Sequence, residues 1–393
     1  MRSVGIICEC NPFHGGHQYL IDRARASGAD AVICVLSGNF VQRGEAAILS
    51  PHARAEILAE SGADAVFELP FPFSAAGAEF FGRAGVEILS RLGVDELWFG
   101  SESGNTDALW RLADVADSDA FREKYAAHAE GESGTAKAYF ALLSEMAGSD
   151  AACAPNDILG VSYLRALRRL NSRMRPVTVK RQGSGYSEQT LSAGQFPSAT
   201  ALRHAWRAQG LTALDEYLAP LTASVAAREQ EAGNAPASLE HATPLVLGML
   251  RLTPLEELEQ YAGLGGGLAG RMKDAASRAT SLQEFYALCA TKNIPMHASV
   301  AAFYRHSCVF VRRIFTPPSL MLTCWRQPSA DANSSRKHAA QAMFPWSRAR
   351  PTSLTPRRRN NNLILNVAPR LCIPYASPKR RTPRSKCAAH RSF

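Results

Sequence analysis

His14 and His17 stand three residues apart in Asn11-Pro12-Phe13-His14-Gly15-Gly16-His17, close to the start of the chain. Two imidazoles at that spacing, beside glycines that keep side chains away, can hold a polyphosphate and stabilise a departing pyrophosphate. Such chemistry is best placed at a helix N-terminus, where unpaired N–H groups and the helix dipole favour an anion. The flanking sequence supplies one. Val4 to Cys8 is an apolar run that reads as a short buried strand. Asn11-Pro12 breaks the strand. From His17 onward, Tyr19, Leu20, Ile21 and Ala24 recur at helical spacing. The unit is strand, glycine-bearing loop, helix.

Other groups fit the same chemistry. Ser37-Gly38-Asn39-Phe40-Val41-Gln42-Arg43-Gly44-Glu45 follows a second apolar run, Ala31–Leu36, and carries a cation, Arg43, at the carboxyl end of a strand. Ligands of open α/β sheets bind along that edge. Gly100 follows the run Glu96–Phe99 and would let a base or ribose approach the backbone. Asn156 or Asp157 is placed to cap a helix through Leu167. Val177–Gln182 reads as a strand that ends in Lys180 and Arg181, cations suited to phosphate. Ser198, Thr200 and Arg203 open another helix with two hydroxyls and a guanidinium.

The elements that position these groups alternate. Strands over 4–8, 31–36, 65–70, 96–102 and 177–182 are separated by helical patterns, which implies a parallel sheet with right-handed crossovers. Ser50-Pro51 starts one helix with a capping hydroxyl and a proline at the first position. Residues 105–150 read as a polar, alanine-rich helical lid or connector. From 207 to 296 the pattern is helical throughout. The expected fold class is α/β: a Rossmann-like parallel-sheet domain over 1–206, then a smaller α-helical domain over 207–296.

Composition bounds the rest. The chain has 393 residues, nine cysteines without a CxxC pair, and no apolar run of membrane-spanning length. No signal peptide is expected, and the location expected is the cytoplasm. Charge is uneven. Residues 297–393 hold 18 of the 44 Lys and Arg but one of the 35 Asp and Glu, so this tail carries +17 and the rest −8. Ten of the 22 prolines also fall there. A basic nucleic-acid arm and a disordered low-complexity tail are two readings. The favoured third is out-of-frame translation, because GC-rich coding DNA read in a wrong frame gives basic, proline-rich, acid-poor text. Before the tail, Arg165, Arg168, Arg169, Arg173, Arg175 and Lys180 form one cationic cluster in sequence, either an RNA contact or a solvated face.

His14-x-Gly-His17 after a first strand resembles the HIGH-type nucleotidyltransferases, and Ser198-Ala199-Thr200-Ala201-Leu202-Arg203 resembles their second signature. With Val4–His17, Ser37–Glu45, Glu68-Leu69-Pro70, Phe99–Glu102 and Pro155–Gly160, residues 1–296 resemble the bacterial tRNA(Met) cytidine acetate ligase family. Cys10 departs from the aromatic residue common there. The resemblance implies that acetate attacks the α-phosphate of ATP, giving acetyl-adenylate and pyrophosphate. The wobble cytidine of elongator tRNA(Met) then takes the acetyl group on N4 and AMP leaves. It implies an ATP cradle along Ile7, Cys8, Glu9, Cys10, Asn11, Pro12, Phe13, His14, Gly15, Gly16, His17, Gln18, Tyr19 and Leu20. Gly100 and Asn156 would border the adenosine, and Arg181 would contact phosphate or base. Ser198, Thr200 and Arg203 would support the triphosphate opposite His14 and His17, and Arg43 would meet the acetate carboxylate. Mg²⁺ bridging the phosphates is expected, although no acidic cluster identifies protein ligands.

Two other functions share part of the pattern. A small-molecule adenylyltransferase of cofactor biosynthesis would carry both signatures but does not need the long helical extension. A non-catalytic RNA-binding protein would not need the histidines.

Overall fold

The computed structural model describes residues 1–42, 44–131, 136–148, 154–181, 197–260, 264, 267–290, 323–325 and 365–366. Five parallel strands form its centre: β1 (Ser3–Cys8), β2 (Ala31–Ser37), β3 (Ala65–Leu69), β4 (Glu96–Ser101) and β5 (Arg175–Lys180). Every residue of β1 and β2 is buried, as expected for strands covered on both faces. The order is β5-β4-β1-β2-β3. The chain therefore reverses its direction of travel between β1 and β4, and the crevice outside the carboxyl ends of those strands is where a doubly wound sheet binds ligands. Two short strands, β6 (Thr323–Trp325) and β7 (Leu365–Asn366), extend the sheet antiparallel beyond β3.

Helices α1 (Gly15–Ala26) and α2 (Pro51–Glu60) pack on one face of the sheet with α8 (Ala199–Gln209) and α9 (Pro220–Glu231). Trp206, 1% exposed, anchors α8 in that core. The opposite face is covered by α3 (Ala78–Arg91), α4 (Thr106–Asp117), α5 (Asp119–Gly131), α6 (Ala136–Ala147) and α7 (Pro155–Arg169). The described helices between 105 and 148 are thus part of the core and not a lid: Leu109, Leu112, Leu143 and Phe121 are buried against the sheet helices. A third cluster joins α10 (Thr243–Leu252), α11 (Leu255–Glu259), α12 (Leu268–Arg278) and α13 (Leu282–Cys289) around Leu250, Met272 and Phe285. Helix α9 belongs to the sheet core, tied to α2 by Arg228 on Glu56 at 2.8 Å.

The cationic cluster read from the sequence is split by the fold. Arg165, Arg168 and Arg169 on α7 pair with Glu79, Asp114 and Asp117 from α3 and α4. Arg175 pairs with the buried Glu96. Cys8, Cys10 and Cys34 are free, buried thiols, as the sequence suggests. Among the described residues, no helix is long and apolar enough to cross a membrane.

Candidate active site

The cavity at the switch point is lined by Ile7, Cys8, Glu9, Cys10, Asn11, His14, Gly16, His17, Tyr19 and Leu20 from the β1–α1 unit. Gly100, Asn156, Arg181, Ser198, Thr200 and Arg203 close its other sides. Residues separated by nearly 200 positions in sequence thus meet at one crevice. Four residues of the Ile7–Leu20 stretch do not line it. Pro12 and Phe13 are buried, with Phe13 stacked on His17 at 5.5 Å between centroids. Gly15 is the first residue of α1, and Gln18 turns to Asp22 and the Ser61 carbonyl. Arg43 lies outside the described residues.

The two histidines cap α1 reciprocally. His14 Nδ1 accepts from Gly16 N at 3.0 Å, and His17 Nδ1 accepts from His14 N at 3.2 Å. This is the geometry of a capping box with imidazoles in both roles. It uses the Gly16 N–H that the sequence reading left for an anion. It also fixes the tautomers, since a ring nitrogen that accepts carries no proton. Each neutral ring therefore keeps its proton on Nε2. Burial, with the nearby Arg181 cation, lowers the His14 pKa to about 4. Burial, then His14 and Arg181, hold His17 well below the usual histidine range. At neutral pH the site offers two uncharged N–H donors with ring centroids 4.0 Å apart. Gly16 makes room for them: a Cβ there would lie 2.9 Å from His14 Cε1.

The opposite wall is Arg203. Its Nη1 donates to the Asn11 carbonyl at 2.9 Å, and its Nη2 lies 3.3 Å from Glu45 and 3.5 Å from Thr200 Oγ1. Ser198 caps α8 by accepting from Ala201 N at 3.0 Å. The second signature is thereby fastened to the first loop. Asn11 accepts from Ile48 N at 2.7 Å and Glu9 from Gln42 N at 2.7 Å, so the Ser37–Glu45 loop and its continuation are stitched to the same place.

The Asn156 side of the cavity rests on Glu102, which in the sequence is only part of a motif. Helix α7 has Ala154 as its N-cap and Pro155 at the first position, so neither Asn156 nor Asp157 caps it. Proline has no N–H to cap, and Glu102 from the loop after β4 takes the next two, from Asn156 at 3.1 Å and Asp157 at 3.0 Å. Glu102 also accepts from Asn156 Nδ2 at 2.6 Å, which turns the amide oxygen into the available acceptor. Asp157, 1% exposed, instead accepts from Ser101 and from Ser103 N. Replacing Glu102 with alanine is expected to cost about 1 kcal/mol as a lost cap and to raise KM for ATP with kcat little changed. Urea denaturation and steady-state kinetics check the two effects.

Arg54 was not singled out in the sequence, yet it organises the loops. It is fully buried, and its guanidinium donates to the carbonyls of Leu49 at 3.1 Å, Glu9 at 2.6 Å, and Gly38. Gly38 sits so close to Glu68 that a Cβ there would clash with its carboxylate. Among the described residues no group of three His, Cys, Asp or Glu side chains could hold a metal ion. The two carboxylates of the cavity, Glu9 and Glu45, already serve Gln42 N and Arg203. The described residues therefore offer no metal-ligand set.

A parallel sheet in this order, a paired-histidine helix start and a Ser/Thr-Arg helix facing it define a nucleotidyltransferase of the HIGH type, and the HIGH Nucleotidyl Transferase family model matches residues 1–298. The tRNA(Met) cytidine acetate ligase of Halothermothrix orenii is 35% identical over 312 residues, covering 75% of this chain and 73% of its own. That of Syntrophotalea carbinolica is 43% identical over 210 residues, covering 52% and 50%. The crystal structure of Thermotoga maritima TmcAL bound with alpha-thio ATP superposes with a TM-score of 0.71 at 30% identity, over 78% of this chain and 75% of that one. The apo form gives a TM-score of 0.73 at 29% identity, over 81% and 79%. The chain belongs to the tRNA(Met) cytidine acetate ligase family within the HIGH nucleotidyltransferases.

Proposed function

We propose that this protein uses ATP and acetate to make N4-acetylcytidine at the wobble position of elongator tRNA(Met), in the cytoplasm. Acetate oxygen attacks the α-phosphorus, the bond to the bridging oxygen breaks, and pyrophosphate leaves. This step depends on in-line positioning and charge stabilisation more than on a protein nucleophile. The supporting observation is the pair of neutral imidazoles facing Arg203 across the switch-point crevice. The Nε2–H groups of His14 and His17 donate to the polyphosphate, and the Arg203 guanidinium, with Ser198 and Thr200 beside it, holds it from the other wall. Arg181, whose aliphatic stem lies 3.3 Å from the Gly100 Cβ position, supplies a cation between adenosine and phosphates. Asn156 presents its amide oxygen to the adenine amine. Arg43 is our candidate for the acetate carboxylate. In the second step the cytidine N4 attacks the acetyl carbonyl, loses a proton, and AMP departs.

The family match stops at residue 298, beside the point where the composition changes. We read the segment from about residue 297 as out-of-frame translation with no part in the chemistry; the gene sequence around the Met296 codon decides this. Function is tested by exchange of labelled pyrophosphate into ATP. Exchange that needs acetate, followed by label from acetate appearing in elongator tRNA(Met), is the expected result. Exchange driven instead by a cofactor precursor such as a nicotinate or pantetheine phosphate would replace this reading with a small-molecule adenylyltransferase.

A further inference from the structure

A second cavity of about 420 Å³ opens beside the first, between α1 and the edge strand β5. Tyr19 and Arg23 come from α1, Trp98 from β4, and Val177, Thr178, Val179, Lys180 and Arg181 from β5 and its end. Its size falls within the range of small-ligand sites. Two features mark its ligand. The walls are aromatic and aliphatic: Trp98 is held rigid by its indole N–H on Glu96 at 2.7 Å, and Val177 and Val179 stay half-buried on the sheet surface. The rim is cationic, with Arg23 and Lys180 exposed and Arg181 half-buried.

Those three cations have no acidic partner among the described residues, whereas Arg25 one half-turn on is paired with Asp64, and Arg165, Arg168, Arg169 and Arg175 are all ion-paired. Three cations without an acidic partner among the described residues thus meet at this one cavity, in a region of the chain that is acidic overall. A flat apolar group with an attached anion is what aromatic walls and a cationic rim recognise, and single-stranded nucleotides are bound in this way. The position is also telling. Tyr19, Val179, Lys180 and Arg181 line both cavities, so an occupant of the second abuts an occupant of the first.

We propose that this second cavity is the acceptor-nucleotide site: it takes one unpaired RNA nucleotide, its base between Tyr19, Trp98 and Val177, its flanking phosphates on Arg23 and Lys180. The assignment of the acceptor as a tRNA cytidine rests on the function proposed above; the site itself rests on the cavity.

The test uses the full chain and a fluorescent anticodon stem-loop of elongator tRNA(Met), with binding read by anisotropy across a salt series. Acetate-dependent pyrophosphate exchange without RNA is measured in parallel. Arg23→Glu is expected to weaken stem-loop binding about tenfold and to make its salt dependence shallower by about one unit of log–log slope. Val177→Trp, which fills the cavity without changing charge, is expected to weaken binding by a similar factor. Both should leave exchange at the unaltered level. A stem-loop that does not bind the unaltered protein, or that binds both variants as tightly, would overturn the site. Loss of binding in Arg23→Glu alone would reduce it to a surface charge and overturn the pocket. If exchange fails in every protein while the stem-loop result holds, the acetate-ligase reading falls and the nucleotide site stands.

Discussion

Replacing Arg54 with methionine is expected to destabilise the sheet domain by about 3 kcal/mol or more and to abolish ATP binding at ordinary concentrations. The magnitude follows from what the guanidinium leaves behind. It is fully buried and donates to three backbone carbonyls, from Glu9, Gly38 and Leu49. Buried carbonyls stripped of a charged donor each carry a desolvation cost of about 1–3 kcal/mol. Burial lowers the Arg54 pKa, but an arginine stays protonated, so the cation is present and must be replaced by something that donates. Lysine is not a rescue: its ammonium is a single point, and the three carbonyls need a planar fork reaching in three directions. Arg54→Lys should therefore recover little. Arg54 touches no substrate in this geometry; it fixes the end of β1 at Glu9 and the loop at Gly38 relative to one another. Chemical denaturation gives the stability, and calorimetric titration with ATP gives the binding. A variant that unfolds at the same urea concentration as the parent would show that these bonds contribute little.

That such a residue escaped the sequence reading has a physical reason. An arginine within a helix ordinarily points to water, and only its register betrays Arg54: it shares a face with Ile57 and Leu58, three and four residues on, both buried. The same periodicity marks α4 as a core helix: Leu109, Leu112, Ala113 and Ala116 repeat at helical spacing and are all buried. Strands β1 and β2 were legible because both faces are covered, so their sequences are continuous apolar runs. Their order was not, because parallel neighbours such as β1 and β4 lie about ninety residues apart and no local signal names the partner. Beta-strand ends shift for similar reasons: β5 starts at Arg175 and ends at Lys180, two residues ahead of the apolar run, because its ladder is set by pairing with β4. The ion pairs that absorb Arg165, Arg168 and Arg169 come from two other helices, which is why a cluster in sequence did not become a cluster of free charge. The site motifs were legible because short spacings carry them; Glu102 under Asn156 and Arg203 on Asn11 were not, being contacts across 54 and 192 residues.

His17→Asn should reduce pyrophosphate exchange by about a hundredfold to a thousandfold, the usual loss for one preorganised donor, while leaving stability within about 1 kcal/mol of the parent. Asparagine is chosen because its side-chain oxygen can occupy the position of Nδ1. It keeps the bond from His14 N that closes the cap, now 3.2 Å long, and removes only the Nε2–H beyond it. His17→Ala loses both, and the difference between the two variants isolates the chemistry from the cap. The protonation state gives a second, independent readout. His14 titrates near pH 4 in the folded protein and near 6.5 when unfolded. Between those values the unfolded chain binds the extra proton, so stability rises with pH across the window and is complete above about 6.5. Acidification from pH 6.5 to 4 should cost about 3 kcal/mol through His14 alone, and His17, lowered for the same reason, adds to it. His14→Asn should flatten that slope. In the parent at pH 7, nitrogen-detected NMR should find both rings neutral with the proton on Nε2; an imidazolium, or a proton on Nδ1, would be incompatible with the reciprocal cap. Nucleotide adds a test of direction. A bound polyphosphate favours the charged rings, so ATP should move both titrations upward, and the acid loss of stability should shrink in its presence.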